Sequence, residues 1–166
     1  MTSTTAFKGD TVNLSGDLPA VGASLPAFTL TNTDLETVDN SSYAGQTVVF
    51  NIFPSVDTGV CAASVRQFNE LATKFDGVTV VNVSRDLPFA LGRFCGSEGI
   101  ENADAASDFR GGFGEAFGDI QADGPLAGLL GRAVVIADGN GEIIYTELVP
   151  EITTEPDYDA ASAALS

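Results

Sequence analysis

Residues 47–53 read Thr47-Val48-Val49-Phe50-Asn51-Ile52-Phe53, and residues 78–84 read Val78-Thr79-Val80-Val81-Asn82-Val83-Ser84. Each run is nearly continuous, apolar and β-branched, the pattern of a central strand covered on both faces. Pro54 ends the first, because proline has no N–H to give a ladder. From Cys61 the period lengthens. Val65, Phe68, Leu71 or Ala72, and Phe75 recur at three- and four-residue spacing, which predicts a helix running to about Phe75. Gly77 stops it before the second strand. Strand, helix, strand with a long crossover is a βαβ unit, so the two strands pair in parallel through a right-handed connection.

Working outward, Phe7 to Leu14 reads as a hairpin turning at Gly9-Asp10, and the alternation of residues 27–32 predicts a strand. After the βαβ unit come a short helix around Leu87 to Cys95 and a Gly-rich region at 111–118. Two strands follow, 133–137 and 142–148, joined by Asp138-Gly139-Asn140-Gly141. That dipeptide Asn-Gly is a hairpin signal, and the acidic turn lacks the ligand ladder of a calcium loop. The tail from Pro156 reads as a helix with proline at its first position. The order predicts an α/β protein of thioredoxin-like fold: a central mixed β-sheet flanked by helices, with an N-terminal β-hairpin.

With 166 residues, 44% apolar and 18% charged, the chain reads as one globular domain over 1–166, with neither repeat nor linker. Seven Lys+Arg against 23 Asp+Glu leave a net charge of −16, which repels phosphate backbones and anionic membrane surfaces. We therefore expect neither nucleic-acid nor membrane partners. No run is long and apolar enough for a transmembrane helix. Residues 1–8 have neither the basic nor the apolar part of a secretory signal, and the expected compartment is the cytoplasm. There is no histidine, which removes Ser–His–Asp and Cys–His catalysis and His-ligated zinc together. Chemistry must run on carboxylates, hydroxyls, arginines or the two cysteines.

Cys61 falls where the loop after a central strand becomes the first turn of a helix. Open α/β sheets place their sites at the C-terminal ends of strands. A helix N-terminus offers free N–H groups and partial positive charge, which favour thiolate over thiol. The plain alternative is a small buried apolar residue. Thr58 puts a hydroxyl one turn ahead of the sulfur, able to cap the helix or to bond a thiolate. A thiolate in so acidic a chain needs a local cation, and the choices are Lys8, Lys74, Arg66, Arg85, Arg93, Arg110 and Arg132. Arg66 points away from the helix start. Arg132 begins a strand and is able to reach the site, although by itself it reads first as a surface ion pair. Cys95 reads as a buried thiol, as half of a permanent disulfide, or as a partner that reaches Cys61 after oxidation. A permanent bridge closing about 35 residues would stabilise the fold by roughly 4 kcal/mol, but would consume the thiolate that the surroundings of Cys61 favour.

The stretch Pro54-Ser55-Val56-Asp57-Thr58-Gly59-Val60-Cys61 resembles the peroxiredoxin signature of proline, threonine and cysteine at fixed spacing. Asn51 to Arg66, Asp86-Leu-Pro-Phe-Ala, Arg93-Phe-Cys-Gly-Ser-Glu-Gly, Ala122-Asp-Gly-Pro-Leu and Glu151-Ile-Thr-Thr-Glu-Pro-Asp-Tyr resemble its thiol peroxidase branch, an atypical two-cysteine group. The resemblance covers nearly the whole chain. It implies that Cys61 is the peroxidatic cysteine, Thr58 its hydroxyl partner, Pro54 the shield against water, Arg132 the arginine facing the thiolate, and Cys95 the resolving cysteine. Val60 joins Pro54, Thr58 and Arg132 in substrate binding. The implied reaction is reduction of hydrogen peroxide and organic hydroperoxides through a sulfenic acid on Cys61, resolved as a Cys61–Cys95 disulfide within one chain. It further implies recycling by a thioredoxin-type reductant and a homodimer, with neither metal nor other cofactor. A non-catalytic redox-sensing module and a general thiol–disulfide oxidoreductase are the competing readings. Peroxide consumption with reductant supplied separates the first from both.

Overall fold

The computed structural model describes residues 3–166. The first two residues of the expected 1–166 domain, and of the N-terminus read as lacking a signal, lie outside it. Seven strands form one mixed sheet: β3 (Thr29–Asn32), β4 (Thr37–Asp39), β5 (Thr47–Ile52), β6 (Val78–Ser84), β7 (Asp104–Ser107), β8 (Ala133–Ala137) and β9 (Ile143–Leu148). Their order is β4-β3-β7-β6-β5-β8-β9. As the sequence predicts, β5 pairs in parallel with β6, with Phe50 opposite Val81 and Asn51 opposite Asn82. The remaining pairs are antiparallel except β6 with β7. Four helices flank the sheet: α1 (Gly59–Ala72), α2 (Pro88–Glu98), α3 (Phe113–Phe117) and α4 (Tyr158–Leu165). This is the thioredoxin-like architecture expected from the sequence.

The N-terminal hairpin is present as β1 (Thr4–Phe7) and β2 (Asp10–Asn13), but its turn is Lys8-Gly9, one residue earlier than expected. Both turn residues have positive φ, 53° and 87°, the twist that a two-residue hairpin needs. Helix α1 stops at Ala72 because Thr73 N–H and Lys74 N–H bond back over three residues to Glu70 and Leu71, tightening the last turn. Pro156 precedes the last helix instead of opening it. Asp157 is the cap, accepting from the Ala160 N–H. Strands β4 and β7 and helix α3 carry no local pattern that announces them. Asp-Ala-Ala-Ser has little β-branching, and it is extended because it lies between β3 and β6.

Alternation along β5 sends Val48, Phe50 and Ile52 to one face and Val49 to the other. Phe50 meets Phe28, Phe113 and Phe117 in an aromatic cluster, with edge-to-face contacts at 5.4 and 5.8 Å. On the opposite face Val49 and Val80 pack under Phe68, Leu71 and Ala161 of α1 and α4. A third cluster sits past the C-terminal ends of β5 and β6. It gathers Phe53, Val56, Cys61, Val65 and Leu91, with Phe94 and Cys95 against it. The parallel strand ends therefore deliver both cysteine-bearing helices to one end of the sheet.

Candidate active site

Cys61 is the third residue of α1 and fully buried. Thr58 is the N-cap, with extended backbone, but its side chain makes no capping bond. The first helical hydrogen bond runs from Ala62 N–H to the Thr58 carbonyl. The amides of Gly59, Val60 and Cys61 have no carbonyl a turn earlier in the helix to bond, which leaves the donors of the first turn beside the sulfur. The Thr58 hydroxyl donates to the Ser55 carbonyl at 3.0 Å, not to Cys61 Sγ. The hydroxyl–sulfur bond that the sequence allows is thus absent here, because the loop carbonyl competes for the same proton.

Arg132 precedes β8, where its carbonyl accepts from Val149 N–H at 3.0 Å. Its side chain is 1% exposed. Nε donates to the Ile152 carbonyl at 2.8 Å and Nη2 to Cys61 Sγ at 3.0 Å. Nη1 is buried without a protein partner among the described residues. Arg132 is therefore no surface ion pair. It is a fixed cation held by one carbonyl and aimed at the sulfur.

Pro54, Thr58, Val60 and Arg132 line a single cleft of about 100 Å³, so the four predicted substrate-binding residues come together. With Gly59 of the same turn, Phe7, Leu126, Ile152 and Thr153 complete its wall. Those four were not anticipated, because they arrive from the hairpin and from loops distant in sequence. Three larger hollows, of about 380, 360 and 120 Å³, lie elsewhere, and Cys61 lines none of the four.

Cys95 is half-buried on α2, and both cysteines are free thiols. Cys95 packs against the shared apolar cluster and also faces the 360 Å³ hollow with Asp104 and Tyr43. Burial, then the negative charge of Asp104, push the Cys95 thiol above its ordinary value, so it stays protonated at neutral pH.

A buried polar row supports the cysteine helix from below. Asn51 Nδ2 donates to Asn82 Oδ1 at 2.9 Å and to Ser64 Oγ at 3.2 Å, and Ser64 Oγ donates to the Cys61 carbonyl at 2.8 Å. Asn82 in turn donates to the Asp104 carbonyl at 3.1 Å. Sequence reasoning missed this row. The available signal was an asparagine at the same place in each of two otherwise apolar strands.

Comparison with known proteins decides what such a site belongs to. The redoxin family model matches residues 20–162. A thiol peroxidase of Corynebacterium glutamicum is 55% identical over 162 residues, 98% of either chain, and one of Mycobacterium tuberculosis is 56% identical over 159 residues, 96% of either. The chain belongs to the peroxiredoxin family, among its thiol peroxidases. A peroxiredoxin-like protein from Aquifex aeolicus superposes with a TM-score of 0.93 at 39% identity, covering 99% of this chain and 96% of that one. A thiol peroxidase from Chromobacterium violaceum, at 22% identity and TM-score 0.90 over 98% and 94% of the two chains, shares the fold. This peroxiredoxin is accordingly an oxidoreductase with thiol-dependent peroxidase activity. Among the described residues, no helix of the peroxiredoxin is long and apolar enough to cross a membrane.

Proposed function

We propose that the Cys61 thiolate attacks the terminal oxygen of hydrogen peroxide or an organic hydroperoxide. The O–O bond breaks, water or an alcohol leaves, and Cys61 becomes a sulfenic acid. Cys95 then condenses with it: the S–O bond breaks, an S–S bond forms within the chain, and water is released. A thioredoxin-type reductant restores both thiols. In this reading Arg132 and the free amides at the start of α1 orient the peroxide and stabilise charge on the departing oxygen, Thr58 and Val60 line its path, and Pro54 keeps water away. The chain works as one domain over 1–166, in the cytoplasm, as a homodimer, without metal or other cofactor.

The observation that carries the reading is the Arg132–Cys61 contact at 3.0 Å beside a cleft formed by the other predicted residues. The homodimer is supported by Leu87, Phe89 and Phe109, which are 52%, 70% and 41% exposed. Ser107 bonds both the Asp86 carbonyl and the Phe109 amide, so these apolar side chains lie on neighbouring segments of one end of the molecule.

The test is rapid mixing of the reduced chain with one equivalent of peroxide, followed by a thiol count and intact mass. The expected result is loss of both thiols and of two hydrogens per chain, with a Cys61–Cys95 crosslink inside one chain and none in Cys61→Ser. Crosslinks only between chains would replace the scheme with a two-chain one, and peroxidase turnover by Cys61→Ser would overturn it.

A further inference from the structure

We propose that Asp86 is a positioning residue, a clamp that ties the loop before Cys61 to the start of the helix carrying Cys95 and sets the balance between the two oxidation steps. The inference rests on the two-step reading above. Asp86 stands immediately before the N-cap of α2. Its carboxylate accepts three hydrogen bonds, from Ser55 Oγ at 2.8 Å, Val56 N–H at 2.9 Å and Ser84 Oγ at 2.6 Å. Its carbonyl accepts from Ser107 Oγ, so its backbone is also held at the end of β7. Asp86 is thereby anchored to the ends of two strands while it grips the loop.

The grip is passed on to the cysteine helix. Ser55 Oγ accepts from Asp57 N–H at 3.1 Å, and the Ser55 carbonyl accepts both the N–H and the hydroxyl of Thr58, the N-cap of α1. A path of hydrogen bonds thus runs from Asp86 through Ser55 to the residue that sets the first turn around Cys61. The other polar ties between the two helix regions are weaker. Arg93–Asp57, at 3.4 Å with both side chains about 70% exposed, and Arg66–Glu98 are surface ion pairs.

The two thiols are unbonded, Cys61 is fully buried and Cys95 faces a hollow that Cys61 does not line, so a disulfide requires the two segments to move relative to each other. The same clamp that holds Thr58 and the first-turn amides in place for peroxide must release for Cys95 to approach. Loosening it moves the two steps in opposite directions. A residue with only a structural role would move them together, in step with stability.

The test is quenched flow of the reduced full chain with hydrogen peroxide, reading Cys61 oxidation by dimedone capture and disulfide formation by alkylation and mass. Wild type is compared with Asp86→Asn, which keeps the shape but sets an NH₂ against groups that donate to the carboxylate, and with Ser55→Ala. Asp86→Asn is expected to slow the first step at least tenfold and to speed disulfide formation several-fold. Ser55→Ala shifts both in the same directions by less, and the double variant adds little to Asp86→Asn alone. Unchanged rates, or both rates falling with the unfolding midpoint, overturn the clamp. Should Asp86→Asn fail to fold, Ser55→Ala, which removes one contact, decides. A wild type that forms no Cys61–Cys95 disulfide refutes the two-step reading instead, whatever the variants do.

Discussion

Arg132 Nη2 lies 3.0 Å from Cys61 Sγ, although the two residues are 71 positions apart in sequence, and both side chains are closed to solvent. Burying a guanidinium is costly, and one carbonyl bond does not offset it. A thiolate does so far better than a thiol. At an effective dielectric of about 20, opposite unit charges 4 Å apart attract by roughly 4 kcal/mol. The contact therefore sets one fixed positive charge against the sulfur in a chain of net charge −16.

Arg132→Met keeps the stem and removes the charge. Oxidation of Cys61 by peroxide is expected to slow by about 100-fold, the scale of losing one donor to a developing oxyanion. Alkylation of Cys61 by iodoacetamide at pH 7 should slow as well. Stopped-flow and mass spectrometry measure the two rates, and a variant that matches wild type in both would remove Arg132 from the chemistry.

Thr58→Val separates chemistry from loop structure. The hydroxyl's hydrogen bond in this state, to the Ser55 carbonyl, is an exposed one, so its loss should lower stability by no more than about 1 kcal/mol. If the hydroxyl turns to the peroxide during reaction, the rate constant falls more than tenfold. Urea unfolding beside stopped-flow tests this, and a peroxide rate that falls only as far as stability does would leave Thr58 a loop fastener.

Cys95→Ser should leave the first oxidation of Cys61 near its original rate, because that step needs only thiolate and peroxide. Turnover with a thioredoxin-type reductant should drop, and dimedone should capture the stranded sulfenic acid. In the unaltered chain, hydrogen exchange around Arg93 to Gly96 should be faster in the disulfide than in the dithiol form. Slow first oxidation in Cys95→Ser would mean that Cys95 acts before the disulfide forms.

Asp119, whose carbonyl accepts from the Gly131 N–H at 2.8 Å, supplies a pH prediction. It is fully buried, neither carboxyl oxygen has a partner among the described residues, and burial holds its carboxyl well above 3.8. A raised carboxyl favours the protonated native state, so the stability linked to this group is complete below pH 3.8 and is lost as pH rises toward the raised value. Asp119→Val should be more stable than wild type by about 1–3 kcal/mol at pH 7, with the difference shrinking toward pH 4. Urea melts of both chains across that range measure it. A constant difference would show that the carboxyl does not titrate on unfolding.

Local pattern determined the frame. Nearly continuous β-branched runs gave β5, β6, β8 and β9 their places, and the helical spacing after Pro54 put Cys61 at a helix start, because both features depend on residues adjacent in the chain. The family resemblance added Arg132, which the residues by themselves left as a surface ion pair. The tertiary structure decided everything that joins distant segments: the aim of Arg132, the pairing of Asn51 with Asn82 beneath Cys61, and the Asp86 grip on Ser55 and Val56. It also made a strand of Asp104–Ser107, whose own composition does not ask for one. A hydrogen bond across 20 to 70 residues leaves no period in the sequence. It exists because sheet order and strand register bring its two ends within 3 Å, and those are properties of the whole fold.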